Sequence, residues 1–339
     1  MKLTINRRDE ELKTVSQPSP RSRFLRRTTF VVLLVLVCLL IAAGGYLLFL
    51  PHVQPLALPT LPAKLTDSDI GLAGWHDYQL PLPAHPLNDP RLPATPQVSA
   101  PLALLEDAAG QELLHQGLLD RGLAYLRAAA QSAPDNLRYN NDYRVALRDH
   151  QRYADEESYF SQLVQHVKTA NTTISLALTY VDEMRACPKP PDGLVCQAQD
   201  SSRSISILDE VLAEHPYNIV ARYARGLNHL YWPSLMGHLP KAQTDLQYAV
   251  ALTHPLSTIS QAFTPLAYTA LGDVFAKDGQ VEKARNVWLN GKEIVSSSSL
   301  LDARLNIAQS QLVDAENTTL RGLGVYVDTD VAIFWQAGR

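Results

Sequence analysis

The clearest pattern of apolar and polar positions is a pair of amphipathic stretches between Tyr268 and Gly291. In each stretch, apolar residues recur at the spacing of a helix with one buried face. Asp278 and Gly279 interrupt the pattern and predict a tight turn. A helical hairpin with one apolar face cannot bury that face alone, so the pattern predicts neighbouring hairpins of the same kind. The two stripes are Leu271, Val274 and Phe275, and then Val281, Ala284, Val287 and Trp288.

The same arrangement occurs earlier in the chain, at six shared offsets. The earlier stretch has Gly110, Leu113, Gly117, Gly122, Leu126 and Ala129, and the later one has Gly272, Phe275, Gly279, Ala284, Trp288 and Gly291. Pro134 then breaks the helical pattern, as expected between successive hairpins. The pattern resembles a tetratricopeptide (TPR) repeat over roughly residues 103 to 296. This resemblance implies an all-α fold, a TPR-like α-solenoid of antiparallel helix pairs.

Three further units lie between these two stretches. The second unit, from Leu137 to about Ala170, keeps the helical spacing but has Arg144 where the repeat expects a small residue. The third is expected to contain helices over residues 172–186 and 204–215. The fourth starts at Asn218 and has Gly226 at the small-residue position.

The end of the solenoid needs a cover, because a terminal repeat exposes an apolar face. A helix from about Ser299 to Glu316 is predicted to provide it. The repeat domain is therefore assigned to residues 103–316, and residues 317–339 to a C-terminal cap or tail. Within the tail, Asp328 and Asp330 suit the cap of a short helix, while Val325 to Val327 equally suit a strand.

TPR proteins are generally not enzymes, and the first helix of each of their units lines a groove that takes a peptide or a partner helix. The resemblance therefore implies a scaffold that binds a protein or peptide partner. The candidate groove residues lie off the apolar stripes of the first helices: Asn141, Arg148, Tyr223, Asn228, Thr269, Asp273 and Lys277.

An uncharged run from Phe30 to Leu50 precedes the repeats. At about 21 residues it is long enough to cross the lipid bilayer as a helix. We expect an uncleaved single-pass signal anchor over residues 28–50, and the alternative is a cleaved signal peptide. Four arginines, at positions 21, 23, 26 and 27, flank the run on its N-terminal side. The positive-inside rule then places the basic tail, residues 1–27, in the cytoplasm.

Everything after Leu50 is expected outside the cytoplasm, in a periplasm, a lumen or the cell exterior. Residues 51–102 are dense in proline. Because proline lacks a helix donor and holds the backbone extended, this stretch is predicted to be an extended linker. Trp75, Tyr78 and Leu80 interrupt it and are candidates for docking onto the folded domain.

Charge is distributed unevenly along the chain. The net charge is −4, but residues 1–27 carry eight Lys/Arg and three Asp/Glu, which leaves −9 for the remainder. A nucleic-acid surface needs a basic face, so we expect no nucleic-acid partner for the folded domain.

Cys187 and Cys196 enclose a short Pro- and Gly-containing loop in the third unit. In an extracytoplasmic compartment such a pair predicts a disulfide. Two cysteines without further ligands do not make a zinc site, and no metal or cofactor is expected.

Catalytic signatures such as G-x-S-x-G, H-E-x-x-H and a Walker loop are absent from the sequence. The most distinctive polar and aromatic group lies in residues 228–240, with His229 and His238. We interpret it as an expanded hairpin turn packed by aromatic rings. Two alternatives to the binding scaffold stay open: an extracytoplasmic enzyme with its site in this turn, and a structural tether whose working parts are the anchor and linker.

Overall fold

The computed structural model of the protein describes residues 32–33, 35–41, 53–253 and 262–335. The chain divides into two compact units, Met1–Leu50 and Pro51–Arg339. In the first unit, the described residues 32–33 and 35–41 are helical. Within the described ranges, no helix combines the length and apolar character that crossing a membrane requires. The basic tail and the rest of the predicted anchor lie outside the described residues.

The second unit is built from consecutive helices, and its described residues contain no strand. The expected all-α, solenoid-like arrangement is therefore confirmed. The long helices are α1 (Ala103–His115), α2 (Leu119–Ser132), α3 (Leu137–Asp149), α4 (Tyr153–His166), α5 (Ala170–Glu183), α6 (Leu194–Glu214), α7 (Ile219–Tyr231), α8 (Leu239–Leu252), α9 (Phe263–Lys277) and α10 (Val281–Ile294). The pairs α1–α2, α5–α6, α7–α8 and α9–α10 pack closely, whereas α4 packs more extensively on α5 than on α3.

Glycine at the small-residue position lets the two helices of a pair approach closely. A Cβ atom on Gly272 of α9 would overlap the indole of Trp288 on α10. Trp288 is completely buried, and its indole nitrogen donates to the carbonyl of Thr269 at 3.1 Å. Gly279, with φ of 81°, then forms the tight turn between the helices, in a conformation that only glycine adopts without cost.

Side-chain caps set the start of several first helices. The Asn136 side chain accepts from the first-turn amides of α3, and Asn218 accepts from Ala221 N at the start of α7. Thr169 and Thr172 form a reciprocal capping box at the start of α5. Each cap satisfies amides that have no partner within the helix.

The described part of the proline-rich stretch packs on the helical domain and is not a free extended linker, and two of the docking candidates, Trp75 and Tyr78, contact the core. Ile70, Leu72 and Tyr78 are buried in the same core as the repeat helices. The carbonyl of Ile70 accepts from the amide of Ile219 at 2.9 Å, so the stretch is also hydrogen-bonded to the start of α7. Of the three predicted docking residues, Leu80 is exposed. Apolar residues between the prolines explain the result, because their burial favours packing onto the helices over extension into solvent.

The predicted covering helix is divided into α11 (Ser299–Leu305) and α12 (Gln309–Ala315), followed by a π-helical turn at Glu316–Leu320. Arg304 Nε lies 3.4 Å from Glu316 Oε1, and both side chains are buried. In one straight helix these residues would be about 18 Å apart along the axis. The chain must therefore turn between them, which a single helix from 299 to 316 does not allow.

The disulfide between Cys187 and Cys196 is present, which confirms that expectation. Cys196 lies in the first turn of α6, which begins at Leu194 rather than at the expected residue 204. The disulfide thus joins the first part of the α5–α6 connection, four residues after the end of α5, to the helix that follows it.

Candidate functional site

The last described residues, 321–335, lie against one side of the helical domain. We call them the C-terminal segment, and we call the surface that they contact the groove. The groove is formed by α3, α5, α7 and α9, which are the first helices of the second to fifth units. Residues 325–330 have no helical structure, and a short 3-10 helix, Val331–Phe334, follows.

Side chains of the groove hold the main chain of the segment at alternate residues. Arg185, just after α5, donates to the carbonyl of Val327 at 3.0 Å. Arg144 on α3 donates to the carbonyl of Thr329. The Asn141 side-chain oxygen accepts from the amide of residue 331 at 3.1 Å. An extended chain presents its groups with a period of two residues, so this spacing suits an extended peptide.

A buried charge network lies beneath Thr329. Arg144 pairs with Asp182 of α5, and both side chains are completely buried. The Thr329 hydroxyl donates to Asp182 Oδ1 at 2.5 Å and accepts from Arg148 Nη1 at 2.9 Å. One hydroxyl therefore joins an acidic and a basic side chain of the groove.

Glu156 of α4 lies at the edge of this network and is fully buried. Burial and the neighbouring charge of Asp182 raise the pKa of its carboxyl far above the usual range, and Arg144 opposes the shift only in part. The carboxyl is therefore protonated at neutral pH. Asp182 is then the carboxylate that balances the positive charge of Arg144 in this network.

A second set of charged residues holds the start of the segment. Arg321 Nε donates to Asp273 of α9 at 2.9 Å, and its Nη1 donates to the hydroxyl of Tyr231 at 2.7 Å. The Lys277 ammonium donates to the carbonyls of Leu230 and Arg321 at 2.8 and 2.7 Å. Burial lowers the pKa of Lys277 to about 8. Asp273 is also paired with Arg304 of α11, so it connects the covering helix to the segment.

Aromatic side chains hold the far end of the C-terminal segment, at Phe334 and Trp335. Phe334 and Trp335 are buried. The Phe334 ring lies 4.4 Å from the Phe263 ring and 6.0 Å from the Tyr223 ring. Trp335 meets Tyr78 of the proline-rich stretch edge-on at 5.2 Å. Aromatic pairs of this kind contribute both buried area and a preferred geometry.

Five of the predicted groove residues contact the C-terminal segment: Asn141, Arg148, Tyr223, Asp273 and Lys277. Asn228 instead accepts a hydrogen bond at its side-chain oxygen from the hydroxyl of Ser201 on α6, at 2.5 Å. The Thr269 carbonyl accepts a hydrogen bond from the indole N–H of Trp288. The expectation of an open groove therefore differs from the structure, in which the protein's own segment covers it. Apolar stripes reflect spacing within one helix and carry no information about distant residues, so they do not reveal this cover.

Sequence reasoning did not select Arg144, Asp182 or Arg185, which bind the segment. Arg144 carried a signal, because it replaces the small residue of the repeat pattern with a long charged side chain. No such signal marks Asp182 or Arg185 in the sequence, since charged residues near a helix end are common on solvated surfaces.

An apolar cleft of about 250 Å³ opens beside the segment. Its lining includes Met184, Leu194, Trp232, Met236, Leu323 and Val325. The segment thus forms one wall of the cleft, and α6 and the α7–α8 turn form the others. Asn228 also lines it, which places this predicted residue beside the segment.

The two histidines of the α7–α8 turn contact each other through Nδ1 atoms 2.8 Å apart. The His238 ring stacks on Trp232 at 4.2 Å. Burial lowers the pKa of His229 to about 3 and that of His238 to about 4, and nearby positive charge adds to both shifts. Both rings are therefore neutral at pH 7, and the N–H of one donates to the lone pair of the other. This arrangement suits a polar contact within a packed turn.

One group of potential metal ligands occurs among the described residues: Cys187, Cys196 and Asp200. Both sulfur atoms belong to the disulfide. Metal binding by cysteine requires the thiolate, so this group does not form a metal site while the disulfide is intact.

Comparisons with known proteins give little beyond the structure itself. No protein-family model and no curated protein matches the sequence. Among solved structures, the crystal structure of a thermophilic TPR protein from Thermus thermophilus is similar. It is 18% identical, the match covers 60% of this chain and 96% of that chain, and the TM-score is 0.45.

Proposed function

We propose that this protein is a single-pass, membrane-anchored scaffold whose helical-repeat domain binds an extended peptide of a partner protein outside the cytoplasm. The observation that carries the proposal is the set of main-chain contacts to residues 327, 329 and 331. Where an extended peptide is held by main-chain hydrogen bonds, those bonds provide affinity, and pockets for its side chains provide specificity.

The anchor is supported by the sequence. Phe30 to Leu50 is uncharged and about long enough to span a bilayer, and four arginines precede it. The disulfide fits an oxidising compartment, since such bonds persist mainly outside the cytoplasm. Both observations support a domain exposed on the far side of the membrane.

We propose a binding role and not a catalytic one. A general acid or base works best with a pKa near the operating pH. His229 and His238, the candidates for catalysis in the α7–α8 turn, have pKa values lowered to about 3 and about 4. Their mutual contact and the stacking on Trp232 support a packing role.

Topology and capture test the proposal together. A reporter active only outside the cytoplasm, fused after Arg339, is expected to be active, and neutral residues at positions 21, 23, 26 and 27 should weaken the signal. Crosslinking of the anchored protein should capture a partner, and an excess of a free peptide with the sequence of residues 325–335 should reduce that capture. A peptide of the same composition in scrambled order is the matched control. A cytoplasmic C-terminus, or capture that the free peptide leaves unchanged, would contradict the proposal.

A further inference from the structure

The C-terminal segment contacts the groove in the manner of a bound peptide. Its carbonyls at 327 and 329 and its amide at 331 are held by side chains of the groove. Ordinary packing of a chain terminus onto a domain needs apolar burial and no such series of polar contacts. Apolar burial accompanies these polar contacts along the segment, at Val327, Val331, Ala332, Phe334 and Trp335.

The charges beneath the segment are not explained by stability. Arg144 and Asp182 are completely buried. Replacing a buried ion pair by apolar residues of similar volume is often neutral or stabilising, so a solenoid does not need such a pair to hold together. A peptide site does use one, because Arg144 and Asp182 bind the Thr329 carbonyl and hydroxyl respectively. Without the segment, Arg144 and Asp182 would each lose one of these hydrogen bonds.

The chain is also built to let the segment move away. Gly322 and Gly324 flank the exposed Leu323, and Gly324 has a positive φ of 84°. Glycine permits large changes of the main-chain angles at small cost. Arg321, on the near side of these glycines, stays fixed to Asp273 and Tyr231. Movement of residues 325–335 about these glycines would leave the contacts of Arg321 in place and would expose the rings that Phe334 and Trp335 cover.

We propose that residues 325–335 are a tethered competitor that occupies the groove until a partner peptide replaces it. This inference rests on the proposed function. The partner peptide has the chemistry of the segment: an extended stretch with a hydroxyl residue between two acidic ones, and an aromatic residue following it. The hydroxyl binds Asp182 and Arg148, an acidic side chain accepts from Asn141, and the aromatic ring packs on Phe263.

The first experiment measures binding of a fluorescent peptide with the sequence of residues 325–335 to the purified full chain in detergent. A tethered segment competes at high effective concentration, so the wild-type chain should bind the peptide weakly. Thr329→Val combined with Phe334→Ala weakens the segment and leaves every groove side chain in place. This variant should bind the peptide at least about tenfold more tightly, because a larger fraction of its grooves is open.

Two controls test the chemistry of the contact. A peptide with valine in place of the threonine should bind the released variant at least about tenfold more weakly, because it lacks the hydroxyl that Asp182 binds. Asn141→Ala in the released variant should also weaken peptide binding. Equal affinity of the wild-type and released chains, or of the two peptides, would overturn the inference. A dimer formed by exchange of segments between two copies, seen by size exclusion, would overturn the assignment to a partner.

A second experiment decides the matter if the released variant does not fold. A protease site is inserted between Leu323 and Gly324 in the full chain, and the folded protein is then cleaved. The fragment should stay in the groove without a covalent link, and an excess of labelled peptide should replace it. If the fragment remains bound while the labelled peptide stays free, or if cleavage removes the helical circular-dichroism signal, the segment is a permanent part of the fold.

Failure of this inference is distinguishable from failure of the proposed function. If a partner is captured through the groove but the released variant captures no more than wild type does, the binding scaffold is supported and the tethered-competitor inference is wrong. If the peptide exchanges as expected but no partner is captured in the cell, the segment is exchangeable and the proposed scaffold role is wrong.

Discussion

The second and fifth helical units solve the same packing problem in opposite ways. In the fifth, Gly272 lets the indole of Trp288 lie directly against α9, and the two helices pack closely. In the second, Arg144 stands at the equivalent repeat position, and α4 packs more on α5 than on α3. The arginine instead pairs with Asp182 and binds the Thr329 carbonyl.

The difference shows where a repeat protein places its chemistry. A unit that follows the repeat pattern gives its small-residue position to helix packing, and little remains there for a ligand. A unit that departs from the pattern gives up some packing within the pair and gains a charged group facing the groove. The departure at Arg144 therefore marks the groove side of the domain more clearly than the units that fit the pattern do.

The largest expected effect follows loss of the arginine. Arg144→Met removes the nearest cation from the buried Asp182 and leaves it only Arg185, at 3.9 Å; breaking one side of a buried pair typically costs about 3–5 kcal/mol in the free energy of unfolding. Chemical denaturation measures the change. Adding Asp182→Leu should restore part of the stability, because it removes the buried charge. If Arg144→Met alone costs less than about 1 kcal/mol, the charge network does not hold the second unit.

The close packing of α9 on α10 in the fifth unit depends on the absence of a side chain at Gly272. Gly272→Ala should reduce the free energy of unfolding by about 3 kcal/mol, because the new methyl group overlaps the buried indole of Trp288. Gly117→Ala is the matched control: it has open space and a φ of 75°, so only the main-chain conformation costs energy, about 1 kcal/mol. Equal losses of stability in the two variants would show that Gly272 is not needed for close packing against Trp288.

The protonation state of Glu156, in the second unit, can be tested by the pH dependence of the free energy of unfolding. Its pKa is raised in the folded protein, so its contribution to stability is complete below the unfolded pKa and is lost as pH rises above it. Glu156→Gln does not titrate. Relative to wild type, this variant should gain about 2.5 kcal/mol between pH 5 and pH 7, because wild type loses about 1.4 kcal/mol per pH unit over most of this range. Glu293→Gln, exposed on α10, should show no such gain. A pH-independent difference for Glu156→Gln would mean that the buried carboxyl is ionised.

The smallest effect is expected one helical turn beyond Arg144. Arg148 is largely buried; it pairs with the exposed carboxylates of Asp149 and Asp328 and donates to the Thr329 hydroxyl at 2.9 Å. Pairs with exposed carboxylates contribute little and a hydrogen bond contributes about 1 kcal/mol, so Arg148→Ala should lower the free energy of unfolding by about 1 kcal/mol. Thermal or urea denaturation beside Arg144→Met tests this directly. Comparable losses for the two arginines would show that the completely buried pair contributes no more than Arg148 does.

The sequence by itself determined the helices of the repeat domain and the order of their pairs. Amphipathic spacing, the glycines at 272 and 279 and the proline at 134 act over a few residues, and that range is enough to specify a helical hairpin. The disulfide could also be predicted, because its two cysteines are close in sequence. Most of the predicted groove residues lie on the groove, since helical periodicity assigns the faces of a helix.

Only the tertiary structure decided what covers the groove and where the proline-rich stretch lies. Asn141 and Asp330 meet across 189 positions of sequence. Ile70 meets the start of α7 in the same way, through a hydrogen bond to Ile219. Such contacts join complementary surfaces of residues that are far apart in sequence, and no local pattern encodes them. The division of the covering helix has the same origin: Arg304 and Glu316 converge on Asp273, and the backbone must turn to bring them there.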